Sequence, residues 1–186
     1  MAKWPDVPDC YGWLALDARG AWRMRDERAQ HLKLAGDKVI QPALLGFINR
    51  NYAADARGCW YFQNGPQRVF VSLEAAPFIA RTDPQQGLLL HTGERLEAER
   101  GWMTDAGELL LEAGSKCAQL DDRDLAQLMA ALELDGAPAG DDALMAWLEG
   151  APGNLALCWQ GARAPVERIA RVKVAEQFGF KRLPTA

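Results

Sequence analysis

The residues predict an α+β fold built from two related units of mainly antiparallel strands, each running hairpin, helix, hairpin. Two echoes predict it. Gly12-Trp13-Leu14, with Asp17 and Gly20 behind it, returns as Gly101-Trp102-Met103 with Asp105 and Gly107. Cys59-Trp60-Tyr61-Phe62-Gln63-Asn64-Gly65-Pro66-Gln67-Arg68-Val69 returns, more loosely, as Leu157-Cys158-Trp159-Gln160-Gly161-Ala162-Arg163-Ala164-Pro165-Val166. Helical stretches separate the members of each pair. On this reading residues 1–82 are the first unit, 83–100 a linking hairpin and 101–186 a second, more helical unit, packed as one body.

In chain order, Trp4 to Tyr11 read as a lead-in punctuated by proline and aspartate. Trp13-Leu14-Ala15-Leu16 and Ala21-Trp22-Arg23-Met24-Arg25 flank the turn sequence Asp17-Ala18-Arg19-Gly20 and predict a hairpin. Residues 26–40 are charged and irregular and read as a loop. Pro42 suits the first turn of a helix, where a missing N–H costs nothing. At about 100° per residue, Leu44, Leu45, Phe47, Ile48 and Tyr52 share an arc of about 160°, a stripe facing a core. Gly46, Asn49 and Arg50 fall outside the stripe. Asn51 falls inside it, so a helix reaching that far must find partners for the amide. Asp55-Ala56-Arg57-Gly58 then ends the helix.

Asn64-Gly65 between two β-rich runs is a strong hairpin signal. Phe78-Ile79-Ala80 extends this region as a third strand, ending at Asp83-Pro84. Leu88-Leu89-Leu90-His91-Thr92 and Arg95-Leu96-Glu97-Ala98, around Gly93-Glu94, read as the linking hairpin. In the second unit Asp121 is placed as an N-cap. Acids follow at 122 and 124, and Leu125, Leu128, Met129 and Leu132 stand at helical spacing. Gly136-Ala137-Pro138-Ala139-Gly140 breaks that helix, and a second runs from Asp141 through Trp147-Leu148 to Gly150. A hairpin over 154–174 closes the unit, and Phe178-Gly179-Phe180 packs on the body.

Composition narrows the function. The chain is 49% hydrophobic and 25% charged, as in an ordinary globular protein. No apolar run approaches the roughly 18 residues that span a bilayer, and Met1–Asp6 lacks the apolar stretch of a secretory signal. The expectation is a cytoplasmic protein with no membrane partner. Net charge is −4, unevenly spread: residues 1–93 carry 11 basic and 9 acidic groups, residues 94–149 carry 4 and 14, and residues 150–186 carry 6 and 2. That balance argues against nucleic acid, whose phosphates need concentrated Lys and Arg.

The chemistry-bearing residues are sparse. Two histidines, His31 and His91, and four scattered cysteines form no His-Glu-x-x-His or Cys-x-x-Cys, so no metal is expected. Cys10, Cys59, Cys117 and Cys158 read as small apolar residues in a reducing compartment. Ser72 and Ser115 stand outside any Gly-x-Ser-x-Gly elbow, and Cys117 has only Lys116 beside it. Neither usual phosphate loop occurs, and no cofactor is expected. Trp13, Trp22, Trp60, Trp102 and Trp159, on strands in related places, fit core layers. One polar constellation is left: Asn49 and Arg50 (with Asn51) on the helix, and Gln63, Asn64, Gln67 and Arg68 around the hairpin turn. A hairpin packed antiparallel to the helix brings these amides and arginines to one end. There they suit a carboxylate, phosphate or peptide backbone. The competing reading gives them to turns, a helix end and solvent.

Phe47-Ile48-Asn49-Arg50-Asn51-Tyr52, followed by Trp60 through Val69, resembles an uncharacterised proteobacterial domain-of-unknown-function family of similar length. The match covers nearly the whole chain. More distantly, the strand-helix-strand order and Val71, Ala76, Pro77 and Phe78 resemble a second bacterial family of unknown function. That family has two repeated α+β motifs, and a signalling role has been suggested for it from fold alone. The second half here departs from it in being more helical between residues 120 and 150. Neither resemblance supplies a catalytic residue.

The expectation is a non-enzymatic module binding a small anionic ligand or a protein partner, with a regulatory role. One rival is an enzyme acting on a polar small molecule between the halves, which needs a carboxylate of raised pKa beside Arg or Tyr. The other is a structural subunit marked by an exposed aromatic patch.

Overall fold

The computed structural model describes residues 7–186, so Trp4, Pro5 and Asp6 of the lead-in lie outside the described residues. The chain forms two compact units. The first runs through Pro77 and takes in Ala175–Ala186; the second is Phe78–Val174. This division differs from the 1–82, 83–100 and 101–186 reading at both ends. Phe78 pairs in parallel with Ala118, which commits its strand to the second unit's sheet. Near the C-terminus, Leu73 N donates to Arg182 O and Lys181 N to Gly58 O, each at 2.8 Å, which ties that segment to the first unit.

The first unit holds β1 (Cys10–Leu16), β2 (Trp22–Met24), α1 (Glu27–His31), β3 (Asp37–Lys38), α2 (Pro42–Arg50), β4 (Tyr52–Ala54), β5 (Trp60–Asn64) and β6 (Gln67–Leu73). Its six-stranded sheet has the order β3-β2-β1-β6-β5-β4, antiparallel except for the central β1–β6 pair. The segment 26–40, expected as a loop, contains α1 and β3. Asp26 caps α1 by accepting from Ala29 N at 2.7 Å, and β3 pairs with β2.

Asp17 turns β1 into β2: one carboxylate oxygen accepts from Arg19 N at 3.0 Å and Ala21 N at 2.8 Å. The identical tetrapeptide Asp55-Ala56-Arg57-Gly58 performs the same task between β4 and β5, with Asp55 accepting from Arg57 N and Cys59 N, both at 2.9 Å. It therefore closes a hairpin and does not end the helix. The helix stops at Arg50, where Asn51 turns its amide back and donates to Phe47 O at 2.8 Å.

One sheet face is the unit's core. Leu14, Leu16, Trp22, Phe62, Val69, Val71 and Leu73 are all buried on it, and α2 covers them with Ile48, 1% exposed. Of the expected stripe, Leu44, Leu45 and Phe47 are half-buried. Tyr52 lies in β4, between Trp22 at 5.1 Å and Trp60 at 4.7 Å, and its hydroxyl donates to Pro77 O at 2.9 Å.

The second unit holds β7 (Phe78–Asp83), β8 (Gly87–Leu90), β9 (Arg95–Leu96), β10 (Arg100–Thr104), β11 (Leu109–Ala113), β12 (Lys116–Leu120), a 3₁₀ turn (Asp122–Asp124), α3 (Leu125–Met129), β13 (Leu132–Leu134), β14 (Ala137–Pro138), α4 (Asp141–Leu148), β15 (Leu155–Trp159) and β16 (Ala162–Ile169). A 3₁₀ turn (Arg171–Lys173) and the short helix α5 (Val174–Gln177) lead out of it. Its sheet has the order β14-β13-β15-β16-β10-β11-β12-β7-β8-β9. Within that order, β12-β11-β10-β16-β15-β13 repeats the first unit's β3-β2-β1-β6-β5-β4, again with the central pair parallel. The duplication inferred from residue echoes is thus a duplication of topology. The second copy adds the β7–β9 meander at one edge, and β14 with α4 between β13 and β15.

Asp121 is an N-cap, as its position implied, accepting from Arg123 N at 3.0 Å. The helix behind it is shorter than the leucine spacing implied. Leu132 opens β13 and pairs with Leu157 of β15, while Asp135 (φ +50°) and Gly136 (φ +84°) form the two-residue turn that folds β13 back onto β14 and so stops the helix short.

This sheet must roll up. Five strand steps separate β9 from β10, about 24 Å in a flat sheet at ~4.8 Å each. Four Cα steps join Leu96 to Arg100 along the chain, a reach of at most about 14 Å. The meander therefore bends back toward β10 and β16. Leu109, Leu110 and Leu111, each at most 1% exposed, are the consecutive buried positions that such two-sided burial requires.

Candidate functional site

The first-unit constellation does not converge. Phe62 faces Val69 and belongs to the core side, whereas Gln63 pairs with Arg68 one residue on. Side chains alternate along a strand, so Gln63 and Arg68 lie on the face opposite α2, away from Asn49 and Arg50. Asn49 accepts from the Trp22 indole N–H at 2.8 Å. Gln63 donates to Gly65 O at 2.8 Å and Gln67 O at 3.2 Å, within its own turn. Gln67 donates to Pro8 O at 2.9 Å. Arg68 lies 4.8 Å above the Tyr61 ring. Asn64 and Arg50 are exposed. Hairpin period, which sequence reading had no means of aligning with the helix, separates the two groups.

A cavity lies at the equivalent hairpin of the second unit. It encloses about 340 Å³, within the range typical of small-molecule sites. Leu88 and Leu96, a cross-strand pair of β8 and β9, form one wall. Leu157 and Trp159 of β15, with Ala162 and Ala164 of β16, form the other. By alternation those four share one face of their hairpin. Arg95 and Glu97 stand at the mouth, their charged groups 3.9 Å apart and both well exposed.

The hairpin tip is locally determined. Gln160 (φ +47°) and Gly161 (φ +83°) are both left-handed, the turn that matches strand twist in a two-residue hairpin. The Gln160 amide lies over Gly87, where an added Cβ would come within 2.9 Å of its oxygen. Its nitrogen reaches Asp83 O and Pro84 O at 3.5 Å.

Trp13 and Trp159 depart from the core-layer expectation for the tryptophans. Trp22 and Trp102 are buried, but Trp13 is 40% exposed and Trp159 is half-buried along the cavity. The Trp159 indole N–H is itself buried, with no acceptor among the described residues. A donor in that state costs about 1–3 kcal/mol. In the sequence, this hairpin is marked by the Gln160-Gly161 echo of Asn64-Gly65, with fewer polar residues beside it.

The titratable groups that depart from their ordinary behaviour do so through burial and local ion pairs. Burial alone would raise the Asp55 carboxyl, but N–H donors from Cys59 and Arg57 and the Arg57 guanidinium hold it below the usual range. Asp121 follows the same pattern with Arg123. Burial pushes all four cysteine thiols up, Cys117 furthest, the reverse of an activated nucleophile. Among the described residues, no three His, Cys, Asp or Glu side chains group as metal ligands. No described helix is long and apolar enough to cross a membrane.

The fold is similar to that of a DUF1285 family protein from Silicibacter pomeroyi DSS-3, with a TM-score of 0.50 at 15% identity over 84% of this chain and 80% of that one. A DUF1285 family protein from Shewanella baltica OS155 is similar with a TM-score of 0.42 at 13% identity, over 62% of this chain and 88% of that one. No curated protein matches. The family model that matches spans residues 1–185, so the chain belongs to DUF2944, described as "Protein of unknown function (DUF2946)".

Proposed function

We propose that the chain is a non-enzymatic binding module and that the second unit's cavity takes the apolar part of its ligand, with a hydrogen-bond acceptor presented to Trp159. The observation that carries this reading is the buried, unpartnered indole N–H of Trp159, a residue that lines the cavity. A ligand oxygen, met by a rotation of the indole toward the cavity, recovers the energy forfeited in the free protein. Arg95 and Glu97 at the mouth face the polar part of the same ligand, and Leu88, Leu96 and Leu157 accommodate its hydrocarbon. Binding without chemistry acts through occupancy, which is the logic of a regulatory part. Four free cysteines fit a cytoplasmic setting.

The test uses 8-anilinonaphthalene-1-sulfonate, an apolar anion, titrated into the full chain and followed by fluorescence and by the indole signals in a ¹H–¹⁵N spectrum. Trp159→Phe assigns the relevant signal. The Trp159 indole signal is expected to shift on binding, and Ala162→Trp, which fills the cavity from an exposed position, abolishes the response. An unmoved Trp159 signal, or full binding by Ala162→Trp, would sink the proposal.

A further inference from the structure

The cavity runs along the free edge of β9, and we infer that its occupant is an extended segment of a partner protein that adds to β9 as a new strand. This rests on the cavity being the binding site. Two features of β9 point to a peptide. The first is which residues line the cavity. A space above one sheet face would meet every second residue of a strand, yet Arg95 and Leu96, neighbours in β9, both line it, as do Glu97 and Ala98 in the segment that follows. The space therefore extends along the strand's edge as well as over its face.

The second is the direction of the backbone. Leu90 N donates to Glu94 O at 2.8 Å, so residues 90 and 94 are a hydrogen-bonded pair. Antiparallel pairs alternate, which makes Leu88–Leu96 hydrogen-bonded and Leu89–Arg95 not. The N–H and C=O of Arg95 thus point away from β8, and Glu97 follows just past the strand. Among the described residues, none of the N–H and C=O groups of these two residues has a backbone partner. Donors and acceptors repeating at i and i+2 beside an apolar wall are what strand addition uses: main-chain bonds hold the segment, and a pocket reads alternate side chains.

Charge narrows the partner. The second unit carries 9 Lys and Arg against 16 Asp and Glu, net −7. A free anion approaches such a unit against its field, whereas a segment with Lys or Arg flanking one large apolar residue is drawn to it. The apolar residue enters between Leu96 and Leu157, and a carbonyl of the segment is the acceptor within reach of Trp159.

The experiment pans a phage-displayed library of random seven-residue peptides against the intact chain, then compares each enriched peptide with a twin N-methylated at alternate amides. Enrichment of a single large apolar residue flanked by Lys or Arg is expected. Methylation in the register that faces β9 should weaken binding about tenfold or more, since two main-chain bonds are lost. Glu97→Pro removes one N–H that makes no backbone bond among the described residues, and it should weaken the peptide equally while leaving the anilinonaphthalene sulfonate response intact. Peptides indifferent to methylation in both registers would overturn strand addition. So would a library without enrichment on a protein that still binds the fluorophore, which would leave the cavity as a small-molecule site. Loss of both responses in wild type would remove the cavity reading itself.

Discussion

Asp121→Asn isolates the most buried charge of the second unit. Its side chain is 1% exposed and faces Arg123, whose own side chain is 55% exposed. The carboxylate accepts from Arg123 N at 3.0 Å and Nε at 2.9 Å, and it also meets the second guanidinium nitrogen. Replacement by asparagine keeps the shape and one acceptor oxygen but sets an amide N–H₂ against the guanidinium. Arg123 is exposed enough to rehydrate, so the loss falls on the buried end. A charged hydrogen bond is worth about 1.5–3 kcal/mol, and the cap oxygen is partly retained. The expected destabilisation is therefore about 2 kcal/mol at pH 7, or about 4–8 °C in Tm for a chain of this size.

The sign of the pH dependence is fixed by the depressed Asp121 carboxyl. Its contribution is complete above the unfolded aspartate value of about 4 and is lost as pH falls through the lower folded value. Urea unfolding of wild type and Asp121→Asn should show the gap at pH 7 and its progressive closure toward pH 2.5. Equal stabilities at pH 7, or a gap that does not change with pH, would refute the ion-pair account.

Asn49→Ala and Arg50→Ala separate structure from binding in the polar block of the first unit. The former leaves the Trp22 indole without its 2.8 Å acceptor and should cost about 1–3 kcal/mol by urea unfolding. The latter, at an exposed position, should stay within about 0.5 kcal/mol; the reverse order would mean that Arg50 is the structural member. Alkylation with iodoacetamide at pH 8, followed by mass spectrometry, should find all four cysteines slower than a free thiol and Cys117 slowest. A fast-reacting Cys117 would revive the idea of a nucleophile beside Lys116.

Local chemistry accounts for most of what the residues made legible. Asp17, Asp55 and Asp121 each satisfy neighbouring N–H groups with their own carboxylates, and Pro42 opens α2. The β5–β6 hairpin forms as expected, although its turn is Gly65-Pro66, one residue beyond the expected Asn64-Gly65, because Asn64 pairs with Gln67. Such short-range devices read out wherever they stand, so α+β content and the echo between halves were visible in one dimension. Other outcomes needed distant strands to choose partners. Leu132 fits a helical spacing and a strand equally well, and pairing with Leu157 decides between them. Asn49 and Arg68 look like neighbours until strand alternation sends them to opposite faces. The cavity beside Trp159 exists because a ten-stranded sheet rolls β9 back toward β15 and β16, strands some sixty residues away in sequence. Turns and caps are enforced by neighbouring atoms, whereas the candidate binding site is enforced by the closure of a whole sheet.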